Sequence, residues 1–195
     1  MALTSRFQEA LILAFSLHAD QKRKGTSVPY IAHLLGVTSL VLENGADEDE
    51  AIAALLHDAV EDQGGIQTRR LIQQRFGERV AQIVDGLSDS HTTPKPPWRE
   101  SKEKYLAHLR QADASVRLVS AADKLYNACS ILKDYQLHGE PIWDRFRGGK
   151  EGTLWYYHSL VELFMTFEPT PLTTELAQVV AELEALVASR EQGSV

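Results

Sequence analysis

Cysteine is nearly absent from this 195-residue chain: Cys129 stands alone and cannot close an internal disulfide. A lone thiol fits a reducing cytosol, so a cytoplasmic location is expected. No run of 18 apolar residues occurs, which excludes a membrane-spanning helix. Met1 to Arg6 lack the basic-then-apolar pattern of a secretory signal. Basic charge is short as well: 20 Lys and Arg against 27 Asp and Glu leave a net charge of −7. Duplex nucleic acid is bound chiefly by neutralising phosphates, so nucleic acid is not the expected partner, and neither is a membrane. Low-complexity tracts and internal repeats are missing too. What remains is ordinary globular usage, 44% hydrophobic and 24% charged, which argues against disorder. A chain of this length buries about 70% of its unfolded surface, enough for one domain with a real core.

Strand-type alternation is not convincing anywhere, and the pattern is helical nearly throughout, so an all-α, irregular helical bundle is expected. Ser5 and Gln8 read as a capping box ahead of Ala10, Leu13, Ala14 and Leu17. Gly25 and Pro29 break the pattern between Gln21 and Pro29. A second helix runs from about Tyr30 to Glu43 and stops at Asn44-Gly45. Asp47 and Glu50 read as N-cap and N3 of a third, which carries Ala51 through Val60 to Gly64-Gly65. Thr68 reads as the cap of a short helix ending at Gly77, and another spans about Glu78 to Asp85. Ser88 to Trp98, with three prolines, reads as a long loop. Arg99 to Gln111 and Ser115 to Lys133 read as helices, His138 to Gly149 as a loop, and Thr153 to Phe167 as a helix stopped by Pro169 and Pro171. A last helix, about 173–190, carries Leu176, Val179, Val180, Leu183, Leu186 and Val187 at helical spacing, a stripe that reads as docking onto the core.

The chemistry concentrates in His33, His57-Asp58 and Asp123, each set among apolar neighbours on an expected helix. A carboxylate there is costly unless it is paired, hydrogen-bonded or bound to metal. Two such carboxylates and two histidines are compatible with one divalent ion held by nitrogen and oxygen. Glu61 and Asp62 follow His57 and Asp58 by four residues, on the same helix face. Asp123, Asn127 and Ser130 form a second polar stripe. Each residue alone has an ordinary reading as core or surface. His18, His91, His108, His138 and His158 are given that reading.

Taken together, the residues resemble the HD-domain metal phosphohydrolases, and more closely the small stand-alone relatives of the RelA/SpoT-type alarmone hydrolases. His18-Ala19-Asp20-Gln21-Lys22-Arg23-Lys24-Gly25 and Pro29-Tyr30-Ile31-Ala32-His33 are similar to the family's opening motif. Leu55-Leu56-His57-Asp58-Ala59-Val60-Glu61-Asp62 is similar to its central motif, with the Glu-Asp pair that generic HD proteins lack. Ala122-Asp123-Lys124-Leu125-Tyr126-Asn127 is similar to its closing motif. The resemblance covers about residues 5–167, within a single domain spanning 1–195. Leu34 stands where large bifunctional members usually carry proline. The Lys24 to Pro29 connection is one residue longer than theirs. Both departures suit the small branch.

The resemblance implies an HD-domain helical bundle with Mn²⁺ held by His33, His57, Asp58 and Asp123. It implies Glu61 and Asp62 as general bases. Arg23, Lys24, Asn127 and Ser130 would lie against a nucleotide. The implied reaction removes the 3′-pyrophosphate of guanosine tetraphosphate or pentaphosphate. Because the protein is acidic, an anionic substrate requires a local basic rim. Lys22-Arg23-Lys24, then Lys95, Arg99 and Lys102, then Arg145, Arg147 and Lys150 are the clusters available, though basic residues are ordinarily solvated surface. Trp98 and the Trp155-Tyr156-Tyr157 run could stack a purine, Tyr156 among them, although aromatics at helical spacing are more often core. Two alternatives stand beside this: the same chemistry on adenosine alarmones or on NADPH, and a non-catalytic nucleotide-sensing module. The last is disfavoured because ligands and the Glu-Asp pair are all present. The sequence leaves the oligomeric state open.

Overall fold

The computed structural model describes residues 2–88 and 96–192. Among them are ten α-helices, one 3-10 helix and no strand beyond an isolated bridge between Lys22 and Pro29. The all-α bundle expected from the sequence is what forms. In order they are α1 (Ser5–Leu17), α2 (Ile31–Glu43), α3 (Glu48–Leu56), α4 (Ala59–Asp62), α5 (Ile66–Phe76), α6 (Glu78–Leu87), α7 (Trp98–Leu109), α8 (Ala114–His138), the 3-10 helix (Glu140–Arg145), α9 (Gly149–Phe164) and α10 (Pro171–Gln192). The chain divides into two compact units, residues 1–95 with 111–122 and residues 96–110 with 123–195. None of the described helices is long and apolar enough to cross a membrane.

The first unit is built around α3. All six residues from Ala51 to Leu56 are buried, a helix apolar on every side and therefore enclosed by others. It packs against α1, α2 and α6, and its three alanines let those neighbours approach. The capping box read from Asp47 and Glu50 is present: the Asp47 side chain accepts from the Glu50 N–H at 3.0 Å and Glu50 accepts from the Asp47 N–H at 2.8 Å. Arg79 reinforces it with an ion pair to Asp47 at 2.6 Å. Arg6 of α1 reaches Glu48 and Asp49 on the first turn. Three anions on that turn complement the positive end of the helix.

Several boundaries differ from those read in the sequence. Thr4 caps α1 in place of Ser5: its hydroxyl accepts from the Arg6 N–H. Thr68 does not begin α5; it is buried inside that helix and donates to the Gln63 carbonyl. Gly64 (φ +100°) and Gly65 (φ +56°) make the turn before it, a backbone that side-chain-bearing residues adopt at a cost. The third helix is not continuous to Val60. The His57 ring Nδ1–H donates to the Ala54 carbonyl at 2.7 Å, the regular pattern stops at Leu56, and α4 restarts it.

In the second unit α10 packs on α9 through Leu172, Leu176, Val180, Leu183 and Val187, all buried, as the apolar stripe predicts. Trp98 of α7 lies against Gly148 and Gly152, where an added Cβ would come within 2.6 Å and 2.9 Å of the indole. The expected loop from His138 to Gly149 contains the 3-10 helix, with Ile142 and Trp143 buried. Most of the expected loop from Ser88 to Trp98, including Lys95 and His91, lies outside the described residues.

Candidate metal centre

Within the first unit, α2 presents His33, and the break between α3 and α4 presents His57 and Asp58. His33 is 1% exposed and His57 4%, so water is largely kept from both rings. Their Nε2 atoms are 3.2 Å apart. Asp58 Oδ2 is 3.0 Å from His57 Nε2 and 3.5 Å from His33 Nε2. One ligand atom from each of the three lies within 4.8 Å of the others.

The donor set fits a divalent cation. With the His57 Nδ1–H committed to the Ala54 carbonyl, the Nε2 of a neutral ring carries a lone pair and points into the cluster. That is how metal-binding imidazoles are held. Two imidazole nitrogens and a carboxylate oxygen suit a borderline transition metal. Burial alone would push the Asp58 carboxyl up. With no ion bound and the imidazoles protonated, the His57 charge, hydrogen bonds from His33 and His57, and the His33 charge outweigh it and hold the carboxyl well below the usual carboxylate range. It is therefore an anion ready to act as ligand.

Residues without an assigned role in the sequence reading support the centre. The Tyr30 hydroxyl donates to Asp58 Oδ2 at 2.6 Å, and the Tyr30 ring packs edge-on against His33 with centroids 5.4 Å apart. On Tyr30's other side His18 stacks at 5.2 Å and 19°. His18, read as an ordinary histidine, is 2% exposed. Its Nδ1 meets Gln21 Oε1 at 2.6 Å. The Gln21 amide in turn donates to Asp62 Oδ2 at 2.7 Å. Of these residues His18, Gln21 and Tyr30 stand inside the opening motif, but hydrophobic spacing gives them no signal.

Asp62 closes α4, its N–H bonded to the Asp58 carbonyl at 2.9 Å. The four-residue spacing thus holds across the helix break. Burial first, then the charges of Asp58 and Glu61, raise the Asp62 carboxyl above its ordinary value, while Gln21 and His18 pull it back. Glu61 is exposed at the same helix end. Arg23 and Lys24 lie on the connection from α1 to α2. The Arg23 N–H bonds to the Val28 carbonyl at 2.9 Å, and the Tyr30 N–H to the Gln21 carbonyl at 2.9 Å, so this basic loop is a closed ribbon.

The remaining expected site residues belong to the second unit. Asp123 is 8% exposed; its Oδ2 accepts from Lys124 Nζ at 2.6 Å and its Oδ1 from Asn127 Nδ2 at 2.6 Å. The expected stripe of Asp123 and Asn127 is therefore a direct contact, and Lys124, given no role by the sequence reading, is its counter-charge. Ser130 is half-buried one turn further on. Arg99 lies over the Trp155 ring, 3.1 Å from its centroid, and pairs with Glu103 at 2.8 Å. Tyr156 is buried against Trp98, Trp155 and Tyr157, with Lys102 5.0 Å from its centroid.

A helical bundle thus brings one histidine of α2 together with a histidine and an aspartate at the break after α3, a set that could hold one metal ion. The chain matches the HD domain family over residues 10–154, and it belongs to that family. It is 39% identical over 122 residues to the guanosine-3′,5′-bis(diphosphate) 3′-pyrophosphohydrolase MESH1 of Xenopus tropicalis, covering 61% of this chain and 65% of that protein. To the MESH1 of Danio rerio it is 35% identical over 127 residues, covering 64% of this chain and 68% of that protein. To the guanosine-3′,5′-bis(diphosphate) 3′-pyrophosphohydrolase of Aquifex aeolicus it is 38% identical over 124 residues, covering 64% of this chain but only 17% of that protein. The solved structure of a metazoan ortholog of SpoT that hydrolyzes ppGpp shares the fold, with a TM-score of 0.77, 23% identity, and coverage of 93% of this chain and 97% of that one.

Proposed function

We propose that this protein is a metal-dependent hydrolase that removes the 3′-pyrophosphate of guanosine tetraphosphate or pentaphosphate, giving GDP or GTP and pyrophosphate. The observation that carries the reading is the convergence of His33, His57 and Asp58 with a carboxylate pair directly after them, in a chain 39% identical to a 3′-pyrophosphohydrolase. The ion proposed is Mn²⁺. When bound, it draws electron density from a phosphoryl oxygen and acidifies a neighbouring water. The closing sequence motif alone brings Asp123 into the proposal as a further ligand.

The chain's own residues supply the rest. The Ala54 carbonyl holds the His57 Nδ1–H and so turns Nε2 into the cluster, and Tyr30 fixes the Asp58 carboxylate. Glu61 and Asp62 orient the attacking water and take its proton; a raised carboxyl is a better base at neutral pH than an ordinary one. Arg23 and Lys24 bring positive charge to a protein whose net charge repels an anionic nucleotide. Arg99, Lys95, Asn127, Ser130 and Tyr156 are proposed nucleotide contacts on the strength of the sequence reading.

Product analysis tests the proposal. Mn²⁺-loaded protein is incubated with guanosine and adenosine tetraphosphates and pentaphosphates and with NADPH. The expected outcome is release of pyrophosphate from the guanosine compounds with GDP or GTP as co-product. Preference for the adenosine compounds or NADPH keeps the chemistry and replaces the substrate. Tight binding without products on any of them points instead to a nucleotide-sensing module and overturns the reading.

A further inference from the structure

Gln21 is bonded at every polar atom it has. Its backbone N–H donates to the His18 carbonyl at 3.1 Å and its carbonyl accepts from the Tyr30 N–H at 2.9 Å. Its side-chain Nε2 donates to Asp62 Oδ2 at 2.7 Å. Its Oε1 is 2.6 Å from both His18 Nδ1 and Gln63 Nε2. An amide oxygen only accepts, so His18 carries its proton on Nδ1, and Gln63 donates as well. The reversed amide would set its oxygen against the Asp62 carboxylate and its NH₂ against another NH₂. Two donors on one face and an anion on the other thus leave a single orientation.

We propose that Gln21, held by His18, is a positioning residue for the catalytic carboxylate Asp62. The inference rests on the hydrolytic reading above. The His18–Gln21 pair pins Asp62 Oδ2, so that Oδ1, which has no hydrogen-bond partner among the described residues, is the oxygen presented to the attacking water. His18 suits the task because it is fixed on three sides. Its ring is buried and stacked on Tyr30. Its Nδ1–H is spent on Gln21. Its Nε2 is buried with no hydrogen-bond partner among the described residues, so a second proton there would be a buried charge with nothing to accept it. The Gln21 bond sets the tautomer of the ring. A one-ångström error in placing a reacting group costs about 100-fold in rate, which is why a catalytic carboxylate at an exposed helix end needs such a brace. The same pair ties the placement of Asp62 to the start of the basic loop, because the Gln21 backbone is its first rung.

Three variants and one spectrum test this. Gln21→Leu keeps the backbone bonds and removes the amide. His18→Phe keeps the stacked ring and removes the donor. His18→Asn restores an N–H near the Nδ1 position. The expected result for Gln21→Leu and His18→Phe is a kcat lower by roughly 10- to 100-fold, with KM and bound metal close to the parent. His18→Asn recovers most of the loss. Imidazole ¹H–¹⁵N correlations show His18 in the Nδ1–H form in the parent and shifted toward the Nε2–H form in Gln21→Leu. Parental kcat in both loss variants, a loss matched by loss of metal or fold, no recovery in His18→Asn, or an Nε2–H ring in the parent overturns the proposal. If Gln21→Leu does not fold, the two His18 variants decide. A parent enzyme inactive on every pyrophosphorylated nucleotide is a different failure: it refutes the hydrolytic reading before any variant is made.

Discussion

At the scale of single residues the site is a division of labour between neighbours in sequence. His57 spends one ring nitrogen on the Ala54 carbonyl and offers the other to the cluster. Asp58, next along the chain, is anchored by the Tyr30 hydroxyl. Glu61 and Asp62 lie one turn later, outside the ligand cluster, and are proposed to share the attacking water. Glu61→Gln and Asp62→Asn are therefore expected to keep bound metal and lose about 100-fold in kcat, the worth of a positioned general base. Metal analysis beside steady-state kinetics checks both halves; near-parental turnover in both variants would remove the pair from the mechanism. The cluster of His33, His57 and Asp58 was legible because polar groups interrupt an apolar pattern and because the motifs resemble a known family; the Glu61-Asp62 pair is proposed from its four-residue spacing and that resemblance. The brace was not legible. Tyr30 and Gln21 act through side-chain hydrogen bonds across 28 and 41 positions of sequence, with His18 acting through Gln21, and helical periodicity carries no such information. Lys124 was passed over for the opposite reason: a lysine beside an aspartate reads as surface, whereas here both side chains are largely buried, 14% and 11% exposed.

At the scale of elements, the loop between α1 and α2 and the start of α3 do different work. The loop closes as a ribbon through the Lys22–Pro29 bridge and carries Arg23 and Lys24 next to the residues that brace the site. Arg23→Ala is expected to raise KM for an anionic nucleotide and to flatten its dependence on salt, since attraction between exposed charges is screened over about 8–10 Å at physiological ionic strength. Arg23→Lys keeps the charge but loses the planar fork, and falls between. Kinetics over a salt series distinguish these outcomes from an ordinary solvated loop, for which neither variant departs from the parent. The start of α3 is a stability element. Asp47→Ala removes its cap and is expected to cost about 1 kcal/mol at pH 7. Burial pushes the Asp47 carboxyl up, but hydrogen bonds from the Glu50 N–H and Arg79 prevail and hold it below its ordinary value of 3.8. A carboxyl lowered on folding stabilises the folded state above its unfolded value and loses that contribution as pH falls through the folded one. The gap between parent and variant in urea unfolding should thus be full at pH 7 and shrink below about pH 4. A gap that widens in acid contradicts the capping account. This cap was readable because Asp-x-x-Glu is a local signal. The break after Leu56 was not, since it depends on a histidine side chain taking a backbone carbonyl.

At the scale of the whole molecule, an all-helical chain and the order of its helices followed from apolar spacing, Gly and Pro punctuation and the lack of strand alternation. Helix ends moved by a few residues where a neighbouring hydroxyl settled the cap, as at Thr4, or where glycines made the turn, as at Gly64 and Gly65. The division into two compact units left no trace in composition, because α8 runs from one into the other without a glycine or proline. A site for a divalent metal was legible because buried nitrogen and oxygen ligands suit one, whereas phosphate chemistry came only from the resemblance of the motifs. The base of the nucleotide was not legible, because stacking and backbone groups that read a purine impose no spacing on the sequence. The account turns on one ion at one place. Crystals grown with Mn²⁺ and measured at the manganese absorption edge are expected to show a single strong anomalous peak within bonding distance of His33 Nε2, His57 Nε2 and Asp58 Oδ2. That peak should vanish in His57→Ala. A peak elsewhere, or none in crystals of protein that still hydrolyses its substrate, would contradict it.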